Sequence, residues 1–432
     1  MTDLERHVQQ MPLADTHEHL KASAEIADQP SDVLRSLFEG GYITADLVVA
    51  GADPKAVERL VDSNDADVRA RFDGIREAWQ CCEHTGYGEG VRLAAKLVYG
   101  IDEISVETLE VAHKRHAELR APGAPLRLLR ELANIEYVQI DDGTWACLPD
   151  PEAPDFFFRD ISWESFANGQ VDAETIHGEV GISVRDLESL REAMAAVFAK
   201  HAACAIAVKA QHAYDRTLRW EERSDADVGR VLRKRLTGKD LTEDERLCLG
   251  DWCWARGIEL AIQHGLPFKH HTGYYAGHST MVLERTRPAH LCPLLLKYPR
   301  ARFVLMHCSY PYGGELRALA KQFPNVIIDL CWAWSIDPYS TGAFVRQCIH
   351  AVPTSKLFVF GGDAGWAAQS VGYAAQCRRW LTRALQAEVD DGLLTEKQAM
   401  QVATRVMRDN QREVFDLEGT RAALRAALDR AQ

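Results

Sequence analysis

The sequence contains no CxxC pair, and its 11 cysteines are scattered and odd in number. Thiolate zinc sites and thioredoxin-like redox chemistry lose their usual signature, and a disulfide scaffold is excluded. Only Cys81 and Cys82 lie close together, and adjacent cysteines rarely bridge; the cysteines read as small buried hydrophobes in a reducing compartment. No stretch of about 18 uncharged apolar residues is present, so no transmembrane helix is expected. The opening MTDLERHVQQ is charged from residue 3 and has no apolar signal core, which predicts a soluble cytoplasmic protein. Cationic excess is also missing: 50 Lys and Arg stand against 63 Asp and Glu, a formal net charge of −13. Neither nucleic acid nor an anionic membrane is therefore expected as the partner. Repeats and low-complexity linkers are absent too. With 47% hydrophobic and 26% charged residues, the 432-residue chain has an ordinary globular composition. It is expected to form one barrel-sized unit over residues 1–432.

What the sequence does contain is a series of short apolar runs alternating with helical patterns. Eight strand candidates follow: 12–18, 135–141, 156–161, 204–210, 266–271, 302–307, 325–331 and 356–362. Near-continuous Val, Ile, Leu and Phe suits parallel strands covered on both faces. Between them, Ser183 to Asp186 reads as a capping box for a helix carrying Leu187, Leu190, Met194, Val197 and Phe198. Thr242 and Glu245 open another helix reaching about Gln263, and the stretches 395–415 and 420–432 predict closing helices on the exterior. Eight strands alternating with helices predict an α/β fold of the TIM (β/α)8 barrel type. Residues 21–123, mostly helical, are expected as an insertion after the first strand, covering the barrel mouth.

Ionisable groups recur at the ends of these strands. His17 and His19, in Asp15-Thr16-His17-Glu18-His19, share one face of an extended chain and can reach one metal ion. Lys209 ends AIAVK, His270 and His271 end LPFKHH, His307 ends FVLMH, Asp329 lies in NVIID, and Asp363 ends LFVFGGD. In a TIM barrel the C-terminal strand ends build the active site, and packing alone does not explain such a series.

These segments resemble the amidohydrolase superfamily, specifically its amidohydrolase-2 branch with nodulin-like and FluG-like domains. The resemblance rests on HxH at the first strand, LPFKHHTG (266–273), HCSYPY (307–312), the strand-four Lys209 with Tyr214 and Arg216 downstream, and Gly362-Asp363-Ala364. It implies that His17, His19, His271 and Asp363 hold one divalent metal, Zn²⁺ foremost, with Mn²⁺ or Fe²⁺ also compatible and one ion favoured over two. His270, adjacent to His271 on a strand, is expected to face the helical layer instead. Asp363 is expected to shuttle a proton, and His307 to polarise the substrate or bind a second ion. Lys209 would be a bridging carbamate, an ammonium gripping a substrate carboxylate, or a base. Tyr214, Arg216, Tyr274, Tyr310 and Trp366 lie just beyond strand ends as candidate substrate contacts, and the Cys82–Gly88 break offers His84 or Tyr87 from above. The resemblance implies a metal-dependent hydrolase acting on an amide, lactone or related bond of a small polar or carboxylated molecule. Decarboxylation, uronate-type isomerisation and a metal-binding barrel without catalysis are the alternatives, and homo-oligomerisation is a further expectation.

Overall fold

The computed structural model describes residues 1–21, 31–40, 42–121, 123–275, 277 and 281–431. Eight parallel strands pair in sequence order: β1 Leu13–Glu18, β2 Ile135–Ile140, β3 Phe157–Ser162, β4 Ala205–Ala210, β5 Phe268–His270, β6 Phe303–Leu305, β7 Val326–Asp329 and β8 Leu357–Phe358. Seven fall within the segments expected from the sequence and β3 overruns its own, 156–161, by Ser162; the chain forms a (β/α)8 barrel. β8 is shorter than its apolar run because Val359 donates its N–H to Val406 of an outer helical turn. The barrel closes beyond it: Thr16 N–H donates to the Phe360 carbonyl (3.1 Å), Asp363 N–H to that of His17 (2.9 Å), and His19 N–H to that of Ala364 (3.1 Å). Those three bonds bring the tip of β1 against residues 360–364.

The outer layer follows its capping chemistry. Thr242 and Glu245 cap the helix Glu243–His264 reciprocally, and Gly265, at φ 70°, ends it in the left-handed conformation. One expected cap is displaced. Asp186, not Ser183, is the N-cap of Leu187–His201, with Ser189 as its reciprocal partner; the extended backbone of Asp186 lets its carboxylate accept from Ser189 N–H at 2.9 Å.

Between β1 and β2 the described chain is a series of short helices running from Val33–Phe38 to Ala124–Arg127; residues 22–30, 41 and 122 of the segment assigned to the insertion lie outside the described residues. Within it, Gly86–Ala94 packs tightly on the long helix Ala367–Asp390. A Cβ at Gly90 would run into the Tyr373 ring, and one at Gly372 into the Gly90 carbonyl, so the two helices approach at backbone distance. This contact sets Tyr87 against Trp332, just beyond β7, with ring centroids 5.6 Å apart. Among the described residues, no helix is long and apolar enough to cross a membrane.

Candidate metal centre and active site

Beneath the mouth, the barrel interior is held by a buried lysine that the sequence did not distinguish. Lys269 on β5 donates to the Thr16 carbonyl (2.6 Å), Gln139 Oε1 (3.1 Å) and Asp160 Oδ2 (2.6 Å), tying β5 to β1, β2 and β3. Its neighbour His270 faces the other way, as strand alternation requires, and accepts a hydrogen bond from Trp254 Nε1 at 2.8 Å.

Above this layer the histidines converge on one carboxylate. Asp363 Oδ1 lies 3.4 Å from His17 Nε2 and 3.2 Å from His19 Nε2, while its Oδ2 is 3.9 Å from His307 Nδ1. Lys209 Nζ stands 3.3 Å from His17 Nε2, 3.3 Å from Gln211 Oε1 and 3.5 Å from Asp141 Oδ2. His271 borders the group, its ring 4.2 Å from that of His307, but its Nε2 faces the Tyr274 carbonyl of its own loop at 3.2 Å. Among the described residues, two clusters have ligand atoms close enough to surround an ion: His17, His19 and Asp141, and His307, Cys331 and Asp363. Asp141 and Cys331 were missed in reading the sequence, although each is the last residue of an expected strand segment, the same signal that singled out His307.

The electrostatics leave this group as a donor set. Burial, with Lys209 nearby, holds His17 well below the ordinary imidazole range. Burial, with His271 nearby, does the same to His307, and burial lowers His271 to about 3. His19 is raised: burial opposes its charge, but the hydrogen bond and charge of Asp363 prevail. Burial pushes Asp363 upward, yet His17, His19 and His307 together keep it well below the carboxylate norm. Burial likewise opposes the charge on Asp141, and Lys209 outweighs it. His19 Nδ1 meets the Asp141 carbonyl at 2.7 Å, and a carbonyl only accepts, so the proton sits on Nδ1. In the neutral ring, His19 Nε2 then carries the lone pair toward Asp363.

The fit to a cation is visible in what these atoms lack. His17 Nδ1 and both ring nitrogens of His307 are buried and have no hydrogen-bond partner among the described residues, while Asp141 Oδ2 faces Lys209 at 3.5 Å and Asp363 Oδ1 faces the His19 and His17 rings at 3.2 and 3.4 Å. Such orphaned groups cost about 1–3 kcal/mol each, and a divalent ion would take up the carboxylate oxygens and one nitrogen of a ring. A cleft of about 740 Å³ opens beside them, lined by His19, Lys21, Asp141, Thr144, Arg159 and Gln211. That is room for a small organic molecule.

The expected substrate contacts divide. Tyr214 packs its ring 4.7 Å from that of His271, and Tyr274 and Tyr310 meet at 6.2 Å on the rim. Trp366 is tied back by its Nε1 to Glu39 at 3.2 Å. Two expectations are corrected. Arg216 is buried with every guanidinium nitrogen engaged, by Asp251 (2.5 Å) and by the carbonyls of Ala167, Thr217 and Arg219, so it offers nothing to a ligand. His84 is 77% exposed beside Glu83, on the outer surface of the helical segment. Tyr87, from the same break, packs instead on Trp332, which lies 5.8 Å from the His307 ring.

Comparison with known proteins follows the same lines. The sequence model of the amidohydrolase family matches residues 151–417. The fluG protein of Emericella nidulans is 29% identical over 203 residues, which cover 45% of this chain and 23% of that protein. This chain thus matches under a quarter of that relative's length. A uronate isomerase from Thermotoga maritima superposes with a TM-score of 0.79 at 15% identity, over 95% of this chain and 96% of its own. A Lactobacillus casei protein described provisionally as a metal-dependent hydrolase superposes at 0.62 and 16% identity, over 97% and 99%. At these identities the two structures attest the fold.

Proposed function

The chain belongs to the amidohydrolase family, and from that premise we propose that it is a metal-dependent hydrolase cleaving an amide, lactone or related bond of a small polar or carboxylated substrate. His17, His19 and Asp363 would hold one divalent ion, with Asp141 and His271 at its margin and Zn²⁺ as the first choice for a nitrogen and oxygen donor set. Such an ion supplies Lewis acidity and lowers the pKa of water toward about 7. Asp363, ionised and facing three imidazoles, takes the proton from the attacking water and returns it to the leaving group. His307 is neutral, and a proton on Nε2 would let it polarise the scissile carbonyl. Lys209 acts as a cation at the edge, where Asp141 and Gln211 fix its ammonium, and grips a substrate carboxylate. Tyr214, Tyr274 and Tyr310 line the approach, and the helices between Val33–Phe38 and Val106–His116 would cover the mouth. The free cysteines throughout fit a reducing, cytosolic compartment.

The observation that carries this reading is the convergence of two histidine Nε2 atoms on one buried carboxylate, 3.2 and 3.4 Å from Asp363 Oδ1. A second reading, isomerisation of a uronate, draws support from the superposition on the Thermotoga enzyme over 95% of the chain. Decarboxylation would use the same ligands to hold substrate. A panel of amides, lactones, aromatic carboxylates and uronates, followed by product analysis, separates them: released acid with amine or alcohol supports hydrolysis. Carbon dioxide points to decarboxylation, and an aldose-to-ketose change points to isomerisation. Full metal loading with no turnover would mark a binding protein.

A further inference from the structure

We infer that Glu18, the residue between the two histidines of β1, is a positioning residue that sets Asp363 in its place against their rings. The inference rests on the metal-dependent reading above and extends it to a buried carboxyl group which that reading does not use.

Asp363 sits on a stretch of chain that has already left the sheet. β8 ends at Phe358, and Asp363 follows in the left-handed region, at φ 52°. A residue with a β-carbon rarely adopts that conformation, and it persists only where the surroundings over-determine it. β1 supplies such surroundings. Backbone bonds hold the stretch at Phe360 through Thr16, at Asp363 through His17 and at Ala364 through His19, and Thr16 Oγ1 adds a bond to the Phe360 carbonyl at 2.9 Å. The N–H groups of Gly362 and Ala364, on either side of Asp363, are taken by side chains of β1 instead. Ala364 N–H donates to Glu18 Oε2 at 2.6 Å, and Gly362 N–H to Asp15 Oδ1 at 3.4 Å. Asp363 is thus gripped from both flanks, and the shorter bond is the one to Glu18.

The fit leaves no slack. A Cβ at Gly362 would overlap Glu18 Oε1, so the glycine before Asp363 and the glutamate of β1 occupy complementary space. Glu18 and Asp15 also hydrogen-bond to each other, which two carboxyl groups do around one shared proton. Glu18 therefore has two tasks: an acceptor for Ala364 N–H and a polar contact with Asp15. A glutamine performs both, and a methionine of similar length performs neither. Without the acceptor, Ala364 N–H is buried unpaired, and the turn that aims Asp363 Oδ1 at His17 and His19 loses one of its flanks.

The test is Co²⁺ titration of the full chain, stripped of metal, with visible absorption reporting ligand geometry and elemental analysis the number of ions bound. Glu18→Met should bind cobalt about 10–100-fold more weakly, with a changed visible spectrum, as loss of an outer-shell partner does at metal sites generally. Glu18→Gln should match wild type in both readouts, a rescue specific to the acceptor. Glu18→Asp, too short to reach Ala364, should behave as Glu18→Met does and replaces it if circular dichroism shows that the methionine variant is unfolded. Wild-type affinity and spectrum in Glu18→Met or Glu18→Asp, or a Glu18→Gln variant as weak as these, overturns the positioning role and leaves the metal site standing. No cobalt bound by wild type overturns both.

Discussion

Asp363 Oδ1 stands 3.2 Å from His19 Nε2, so the segment after the last strand and the tip of the first strand meet in a carboxylate–imidazole contact. The same turn carries the backbone bond from Asp363 N–H to the His17 carbonyl that closes the barrel. Closure and site assembly are one event: the contact exists only when residues about 345 positions apart in sequence complete the ring.

Asp363→Asn keeps the shape and removes the anion. Apparent affinity for a divalent ion should fall by at least the roughly 10–100-fold seen when a metal site's outer-shell partner is lost. Metal-dependent gain in melting temperature checks this, and an unchanged gain in the variant would remove Asp363 from the ligand set.

Lys209 and Asp141 are both fully buried, 3.5 Å apart. In chelated protein, Lys209→Met strands the Asp141 carboxylate and should destabilise the fold by about 3–5 kcal/mol. The double variant with Asp141→Asn should recover much of that loss. Denaturant unfolding of both variants tests the pair.

The approach of Gly86–Ala94 to Ala367–Asp390 leaves no space at Gly90, where an added methyl meets the Tyr373 ring. Gly90→Ala should cost about 1–3 kcal/mol by overpacking, despite the better helix propensity of alanine. A raised melting temperature instead would show that the helices can separate freely.

Burial holds His270 at about 3, against an ordinary 6.5, with Trp254 Nε1 donating to its neutral ring. A depressed folded-state value means that the unfolded chain binds the extra proton between those two limits. Its contribution is therefore intact above about pH 6.5 and shrinks as pH falls toward 3. Stability of wild type and His270→Gln, measured by denaturant between pH 4 and 7, should differ in slope, with the variant flatter over this window. Equal slopes would mean that His270 does not titrate with unfolding.

Much of the barrel was legible because each strand is a short, near-continuous apolar run, and several carry an ionisable residue at or just beyond their end. Alternation within LPFKHH correctly turned His270 toward Trp254. Most of the failures share a cause: they depend on partners distant in sequence. Nothing near Arg216 announces that Asp251 and three carbonyls will occupy it, and nothing near Tyr87 announces Trp332. Asp141 and Cys331 carried the strand-end signal, but neither belongs to a recognisable local motif, and only the closed barrel brings them to the histidines. The capping box at Ser183 failed for a local reason: Asp186 has its own reciprocal partner in Ser189.

The central claim is a divalent ion at His17, His19 and Asp363. Metal content per chain, measured by elemental analysis on protein purified without added metal and again after chelation and reconstitution, tests it most directly when paired with His17→Ala and His19→Ala. The account predicts at least one ion per chain in wild type and loss of that ion in both variants. No ion in wild type even after reconstitution, or a full complement in both variants, would contradict it.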